Sequence, residues 1–221
     1  MKSVLPSQRW TVIIPQKSLL AAKGRLGVPG HWRRQFARAM LIDTVRATLG
    51  AESVENVFVV CMRKADGVAL RTSGAAVLVH PTPGMNGAIL AAQRFTRKRW
   101  PDSPVAVLPG DLPCLLANDV DKALRLASRH DLAFIPDASG AGTTLLTASP
   151  GHSLRPNYGS GSSSRHAAEG AVRITGSALD RVRRDVDELE DLLAAVELGC
   201  GAATRRAFRS WQHHVGQVVD R

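Results

Sequence analysis

With 221 residues the chain has the length of one ordinary domain and can bury a real core. Hydrophobic residues at 44% against 22% charged exclude a disordered chain, and no run approaches the roughly 18 apolar residues of a membrane span. The net charge of +10 leaves two classes of partner open, a nucleic-acid backbone or a small polyanion such as a nucleoside triphosphate.

Met1 to Pro6 carries one positive charge and no apolar segment of signal-peptide length, so a cytoplasmic protein with no membrane contact is expected. The first element is a β run, Trp10-Thr11-Val12-Ile13-Ile14, stopped by Pro15, and a polar, cationic loop follows through Arg25. A helix is expected over 31–49, with Ala37, Met40, Leu41, Thr44 and Val45 on one face at 3.6 spacing. Val57 to Cys61 is a continuous apolar strand of the kind buried on both faces. A short helix then leads to a third strand, Ala76 to Val79.

Asn86 to Arg99 reads as a helix, Val105 to Leu108 as a fourth strand, Asn118 to Ser128 as a helix and Leu132 to Ile135 as a fifth strand. Strict alternation of strand and helix predicts an α/β fold: a Rossmann-like, mostly parallel sheet with right-handed crossovers and helices on both faces. GxGxxG is missing after the first strand, so the dinucleotide fingerprint is excluded. After Pro136 glycine and serine become dense and strands shorten to Thr143–Thr147, Val172–Thr175 and a weak one near Leu179. That pattern predicts a small antiparallel extension packed on the parallel half and carrying functional loops. A last helix over 188–198 would bury Leu189, Leu192, Leu193 and Val196 and end at Gly199. A single domain over 1–221 is expected, its core at 10–204 and a basic, partly ordered tail at 205–221.

Cys61, Cys114 and Cys200 lie far apart with no CxxC pair, which argues against a zinc site and a disulfide framework. They read as reduced core thiols. The pairs Arg33-Arg34 and Arg205-Arg206 and the run from Arg94 to Arg99 read as solvated helix faces or a tail. No helix-turn-helix, zinc-finger or aromatic-platform pattern supports nucleic acid.

Four features carry chemistry, and all fall at the carboxyl ends of predicted strands, where open α/β sheets bind ligands. Lys17, Lys23 and Arg25 beside Gly24 suit a triphosphate, or form an ordinary solvated loop. Asp111, in Gly110-Asp111-Leu112-Pro113, either caps the next helix or holds magnesium. Asp185 and Asp187 share a face if extended and would give a phosphoryl-transfer site its second carboxylate element; the alternative is a helix-start signal. Two glycine-rich loops, Asp137 to Thr144 and Tyr158 to Ser164, suit a small phosphate-plus-carboxylate ligand, the second by forming an anion nest at a helix start. His166 tempts as a general base, but a phosphate monoester is already an anionic nucleophile, so a positional role is expected.

In this order and spacing the motifs resemble the 2-phospho-L-lactate or phosphoenolpyruvate guanylyltransferases of coenzyme F-420 biosynthesis, relatives of the molybdopterin guanylyltransferases. The likeness runs from Trp10 to about Thr204. It is carried by Pro15, Lys17, Ala22, Lys23, Arg25 and Leu26, by Gly84-Met85-Asn86, by Asp111-Leu112-Pro113, by the 137–144 loop, by 159–162 with His166, and by Arg184-Asp185-Val186-Asp187. The resemblance implies a nucleotide-diphospho-sugar transferase-like fold and transfer of the guanylyl group of GTP to phosphoenolpyruvate or 2-phospho-L-lactate, with pyrophosphate released. It implies that Asp111, Asp185 and Asp187 are catalytic and hold Mg²⁺, and that Thr143, Gly159 and Ser162 bind the acid. Lys17, Lys23 and Arg25 would face the GTP phosphates, with Gly84 and Asn86 near the guanine. A downstream transferase of the deazaflavin pathway and a second copy of the chain are its further implied partners. Met85 replaces the family's leucine, Ala141 stands where threonine is common and Gln16 replaces an apolar residue. The alternatives are a relative acting on 3-phosphoglycerate, and a non-catalytic nucleic-acid-binding protein that has no need of the three aspartates.

Overall fold

Side chains along β1 (Trp10–Gln16) alternate between two apolar clusters: Val12 and Ile14 enter one, Ile13 the other. Both clusters are closed by helices, so the strand is buried on both faces, as continuous apolar runs require. The computed structural model describes residues 9–16, 23–61, 74–80 and 84–219. Lys17, Ala22 and the short helix expected before Ala76 lie outside the described residues.

Beside β1 the sheet contains β2 (Val54–Cys61), β3 (Ala76–Val79), β4 (Val105–Val107), β5 (Leu132–Pro136), β6 (Thr143–Ala148) and β7 (Val172–Arg173). Their spatial order is β3-β2-β1-β4-β6-β5-β7. All neighbours are parallel except β6, which runs antiparallel to both β4 and β5. The expected α/β class with a mostly parallel sheet is therefore present. The antiparallel part, however, does not pack on the parallel half: β6 lies within the same sheet. All six of its residues are buried, which an edge or outer layer would not produce.

Pro15 does not stop β1. The Ile13 carbonyl accepts from Leu108 N–H on the β4 side, so Pro15, two residues on, turns its missing donor to that side, where β4 has already ended. β7 is two residues long, shorter than expected. The strand expected near Leu179 is a 3₁₀ turn, Ser177–Leu179, with Leu179 alone driven into the core.

Among the described residues the helices are α1 (Gly30–Leu49), α2 (Met85–Arg99), α3 (Ala117–Ala127), α4 (Ser162–Ala168), α5 (Leu189–Leu198) and α6 (Ala202–Val219). Leu41 and Val45 of α1 join α3 over one face of the sheet, and Ala88, Ile89 and Ala92 of α2 cover the other. α1 also has a second buried stripe, Trp32, Phe36 and Met40, which packs under Leu192 and Ala195 of α5 and Ala207 and Phe208 of α6. The expected single face of α1 captured only half of this. In α5, Leu192 and Ala195 are the fully buried residues while Leu193 is 43% exposed, because the helix meets α1 one position round from the expected stripe.

The described part of the basic tail, through Val219, belongs to helix α6. Asp43, 6% exposed on α1, accepts hydrogen bonds from the N–H groups of Ala203 (3.0 Å) and Thr204 (2.7 Å) and so caps α6 at its positive end. All three cysteines are buried free thiols. Among the described residues no helix is long and apolar enough to cross a membrane.

Candidate active site

The carboxyl ends of β1, β4 and β5 open onto a cleft of about 540 Å³. Gly110 follows β4 because a Cβ there would sit 2.6 Å from Leu41 Cδ1 and 3.3 Å from Gln16 Oε1. The next residues are fixed by α1: Thr44 Oγ1 accepts from Leu112 N–H (3.1 Å), and Asp111 is left facing the cleft.

Asp185 and Asp187 reach the same place from the far end of the chain. Val186 between them is fully buried among the α1, α5 and α6 side chains, and its N–H donates to the Asp111 carbonyl (3.1 Å). With Val186 pointing inward along non-helical backbone, both flanking aspartates line the cleft, as the spacing predicts. Asp137 joins them from the end of β5. Burial, then the carboxylates of Asp111, Asp137 and Asp187, push the Asp185 carboxyl up to about 7, with Lys23 opposing.

Leu26, fully buried, anchors the cationic loop, and Lys23 turns back into the acidic cluster. Its Nζ lies 2.6 Å from Asp111 Oδ2 and 3.2 Å from Asp187 Oδ1, with 8% of the side chain exposed. Burial lowers the Lys23 pKa, but Asp111 and Asp187 outweigh it and hold the ammonium above its ordinary value. Arg25, 68% exposed, pairs with Asp187 and Glu188 at the rim. Among the described residues no three His, Cys, Asp or Glu side chains are gathered as a ready metal centre. Asp111 Oδ1 is nonetheless buried with no hydrogen-bond partner, and hard carboxylate oxygens are the ligands magnesium prefers.

The two glycine-rich loops meet on the same cleft. The first is tied inward: Asp137 Oδ1 accepts from Ser139 Oγ (2.8 Å), Oδ2 accepts from Gly142 N–H (2.9 Å), and Arg183 donates to the carbonyls of Pro136, Asp137 and Ala138. In the second, Ser162 N–H bonds the Gly159 carbonyl and Ser163 N–H bonds the Ala141 carbonyl. Two donors of the expected anion nest are thus used within the protein. The nest is displaced one turn earlier, to Gly159, Ser160 and Gly161, whose N–H groups have no acceptor among the described residues. Gly159 at φ 134° and Gly161 at φ 70° hold this turn in a region closed to most side chains.

Beneath it, His166 is fully buried. Its Nε2 accepts from Asn157 N–H (3.0 Å), which in a neutral ring leaves the proton on Nδ1, 2.9 Å from Thr143 Oγ1. Ser162 Oγ also donates to Thr143 Oγ1 (3.2 Å). Thr143 therefore accepts twice and turns its own hydroxyl hydrogen elsewhere, as a donor. Burial, then Arg165, lowers the His166 pKa to about 4, so the ring stays neutral and holds the loop, in keeping with the positional role expected of it.

The cleft thus brings together Lys23, Arg25, Asp111, Asp185 and Asp187 with Thr143, Gly159 and Ser162. Gly84 and Asn86 are not among its lining residues; Met85 between them is. Both ends of the Asn86 amide bond the Tyr158 backbone, accepting from its N–H (2.9 Å) and donating to its carbonyl (3.2 Å). Asp137 was not expected as a member of the acidic group, although it follows β5 as Asp111 follows β4. The same rule finds it. Arg165, which donates to the carbonyls of Asn157 and Ser160, and Arg183 carry no sequence signal for their role as loop clamps.

The fold and this cleft define a nucleotidyltransferase-type α/β protein. A Desulfovibrio desulfuricans structure provisionally assigned as a nucleotide-diphospho-sugar transferase is similar to 96% of the chain, over 98% of its own length, with TM-score 0.68 and 14% identity. A cytidylyltransferase from Leptospira borgpetersenii is similar to 95% of it, over 96% of its own length, with TM-score 0.57 and 13% identity. At such identities the likeness is one of fold. In sequence, residues 10–217 match the guanylyl transferase family described as CofC-like, and the chain belongs to that family. The phosphoenolpyruvate guanylyltransferase of Streptomyces coelicolor is 41% identical over 199 residues, 89% of this chain and 94% of its own. That of Mycolicibacterium gilvum is 38% identical over 215 residues, 94% and 99%.

Proposed function

We propose that the protein is a phosphoenolpyruvate guanylyltransferase: a phosphate oxygen of phosphoenolpyruvate attacks the α-phosphorus of GTP, the α–β phosphoanhydride breaks and pyrophosphate leaves. The observation that carries this reading is one cleft in which an acidic cluster with a buried lysine adjoins a hydroxyl-and-amide pocket shaped for an anion. The shared name of relatives matched over about nine-tenths of the chain supports the acceptor. The product, enolpyruvoyl-2-diphospho-5'-guanosine, then serves a downstream transferase of coenzyme F-420 assembly in the cytoplasm.

Asp111, Asp185 and Asp187 would hold Mg²⁺, and the orphaned Asp111 Oδ1 supports that assignment. Bound there, the metal supplies electrostatic stabilisation of the phosphoryl oxygens. Lys23 and Arg25, with Lys17, offset charge on the triphosphate, and Met85, the one residue of Gly84 to Asn86 that lines the cleft, would lie near the guanine. Thr143, through its outward hydroxyl, and the amides of Gly159 to Gly161 orient the acid's phosphate for in-line attack. No residue need remove a proton, because the attacking phosphate is already anionic.

Pyrophosphate release should be measured with GTP and Mg²⁺ against phosphoenolpyruvate, 2-phospho-L-lactate and 3-phosphoglycerate in parallel. Turnover with phosphoenolpyruvate is expected, and silence with all three overturns the reading. Asp111→Asn and Asp187→Asn should each lower kcat by roughly 10²-fold or more with the fold intact. Wild-type turnover in both removes them from the mechanism.

A further inference from the structure

Lys23 occupies the space between two of the carboxylates assigned to the metal. Its ammonium contacts Asp111 Oδ2 at 2.6 Å and Asp187 Oδ1 at 3.2 Å, and 8% of the side chain is exposed. Its backbone sits at φ 59°, the one non-glycine residue among those described with a left-handed conformation, so the turn is held in a strained form that aims this side chain inward. Yet the arrangement leaves the acidic group incompletely served. Arg25 reaches Asp187 from the rim and Ser139 and Gly142 serve Asp137, but the second oxygen of Asp111, beside the Lys23 ammonium, stays buried without a hydrogen-bond partner.

We propose that Lys23 is a resident counter-ion that a divalent metal must displace, and that the nucleotide's phosphates receive it, so that metal and nucleotide bind together rather than metal first. The proposal rests on the assignment of Asp111 and Asp187 as metal ligands. Its physical basis is direct. An ammonium and a divalent cation cannot both lie within bonding distance of the same two carboxylate oxygens, since their repulsion at that separation in a partly dry cleft is large. Removing the ammonium into a cleft with no anion to accept it leaves a buried charge unpaired, and binding of metal alone is weakened by that amount. A triphosphate supplies the missing oxygens, and both cations then have partners.

The test is Mn²⁺ binding to the whole chain, read by the loss of the free-ion electron paramagnetic resonance signal, without nucleotide and then with a GTP analogue carrying an α–β methylene bridge, after subtracting the Mn²⁺ that the analogue binds in a protein-free blank. Lys23→Met and Lys23→Gln should bind Mn²⁺ alone at least tenfold more tightly than wild type. The analogue should tighten Mn²⁺ binding in wild type at least tenfold more than it does in either variant. Equal or weaker binding of Mn²⁺ alone by the folded variants overturns the displacement, while the metal assignment stands if Asp111→Asn and Asp187→Asn still abolish binding. Mn²⁺ binding that survives both aspartate substitutions overturns the assignment itself. Should neither lysine variant fold, the wild type decides: Mn²⁺ bound equally well with and without the analogue overturns the proposal.

Discussion

Replacing His166 with phenylalanine keeps a ring of similar size beside Phe134 and Tyr158 and removes both of the ring's hydrogen bonds. Asn157 N–H then loses its acceptor and Thr143 Oγ1 loses a donor. Leaving one such buried group unsatisfied costs about 1–3 kcal/mol, so the variant should be less stable than wild type by about 2–4 kcal/mol at pH 7.5. The gap should close with acid. The His166 pKa is lowered to about 4 in the folded chain, below its unfolded value of 6.5. Folding therefore favours the neutral ring: the contribution is complete above 6.5 and is lost as pH falls through 4. The full contribution is on the order of 3 kcal/mol, and most of it is gone by pH 4.5. Urea denaturation of both proteins at pH 7.5 and 4.5 gives the double difference, in which the titration of every carboxylate common to both cancels. An unchanged gap between the two pH values refutes the buried neutral imidazole. In turnover the variant should raise KM for the acid far more than it lowers kcat, because Thr143 loses its fixed orientation while no proton transfer is lost. A fall in kcat comparable to that of Asp111→Asn would return His166 to the chemistry.

Gly110→Ala sets a methyl against Leu41 and should destabilise by about 1–3 kcal/mol, partly relieved by Leu41→Val, as followed by thermal denaturation; an unperturbed single variant would mean the approach of α1 to this turn is looser than drawn. Asp43→Ala removes the cap of α6 and should cost about 1–2 kcal/mol, with amide exchange accelerated over 202–209 before the rest of the chain; uniform loss of protection would contradict a local role. Asp185 has the opposite pH sign to His166: its folded value of about 7 lies above the unfolded 3.8, so its contribution is complete below 3.8 and lost as pH rises through 7. In metal-free buffer Asp185→Asn should accordingly gain stability relative to wild type between pH 5 and pH 8, and parallel pH curves would show that Asp185 ionises normally.

Much of this architecture is legible in the amino-acid sequence. Central strands are signalled by unbroken apolar runs, and α1 by its 3.6-residue period, because both elements meet the same sheet that every neighbour meets. What stayed hidden depended on pairings distant in sequence. Nothing in Thr143 to Ala148 says that it will slot between β4 and β5, since a buried strand looks the same whichever way it runs. The basic 205–221 segment reads as a solvated tail until Trp32 and Phe36 are seen to need Phe208 and Trp211 as cover. In the site, the aspartates were found by their places at strand ends and by their spacing. Asp137 is open to the same strand-end rule, whereas the clamps of Arg165 and Arg183 are hidden because they bond backbone, which any sequence presents equally.

The place where β6 enters the sheet divides the cleft's two chemistries. Asp111 extends from β4, Thr143 opens β6, and the two strands are joined through three residue pairs, Val105 with Ala148, Ala106 with Thr147 and Val107 with Leu146. A further bond, from the buried Val186 N–H to the Asp111 carbonyl, ties the 185–187 segment to the end of β4. The spacing between the acidic cluster and the Thr143 pocket is thus set by a seam of only three residue pairs. A substitution such as Thr147→Gly, outside the cleft lining, would loosen that seam and should lower kcat with little change in KM.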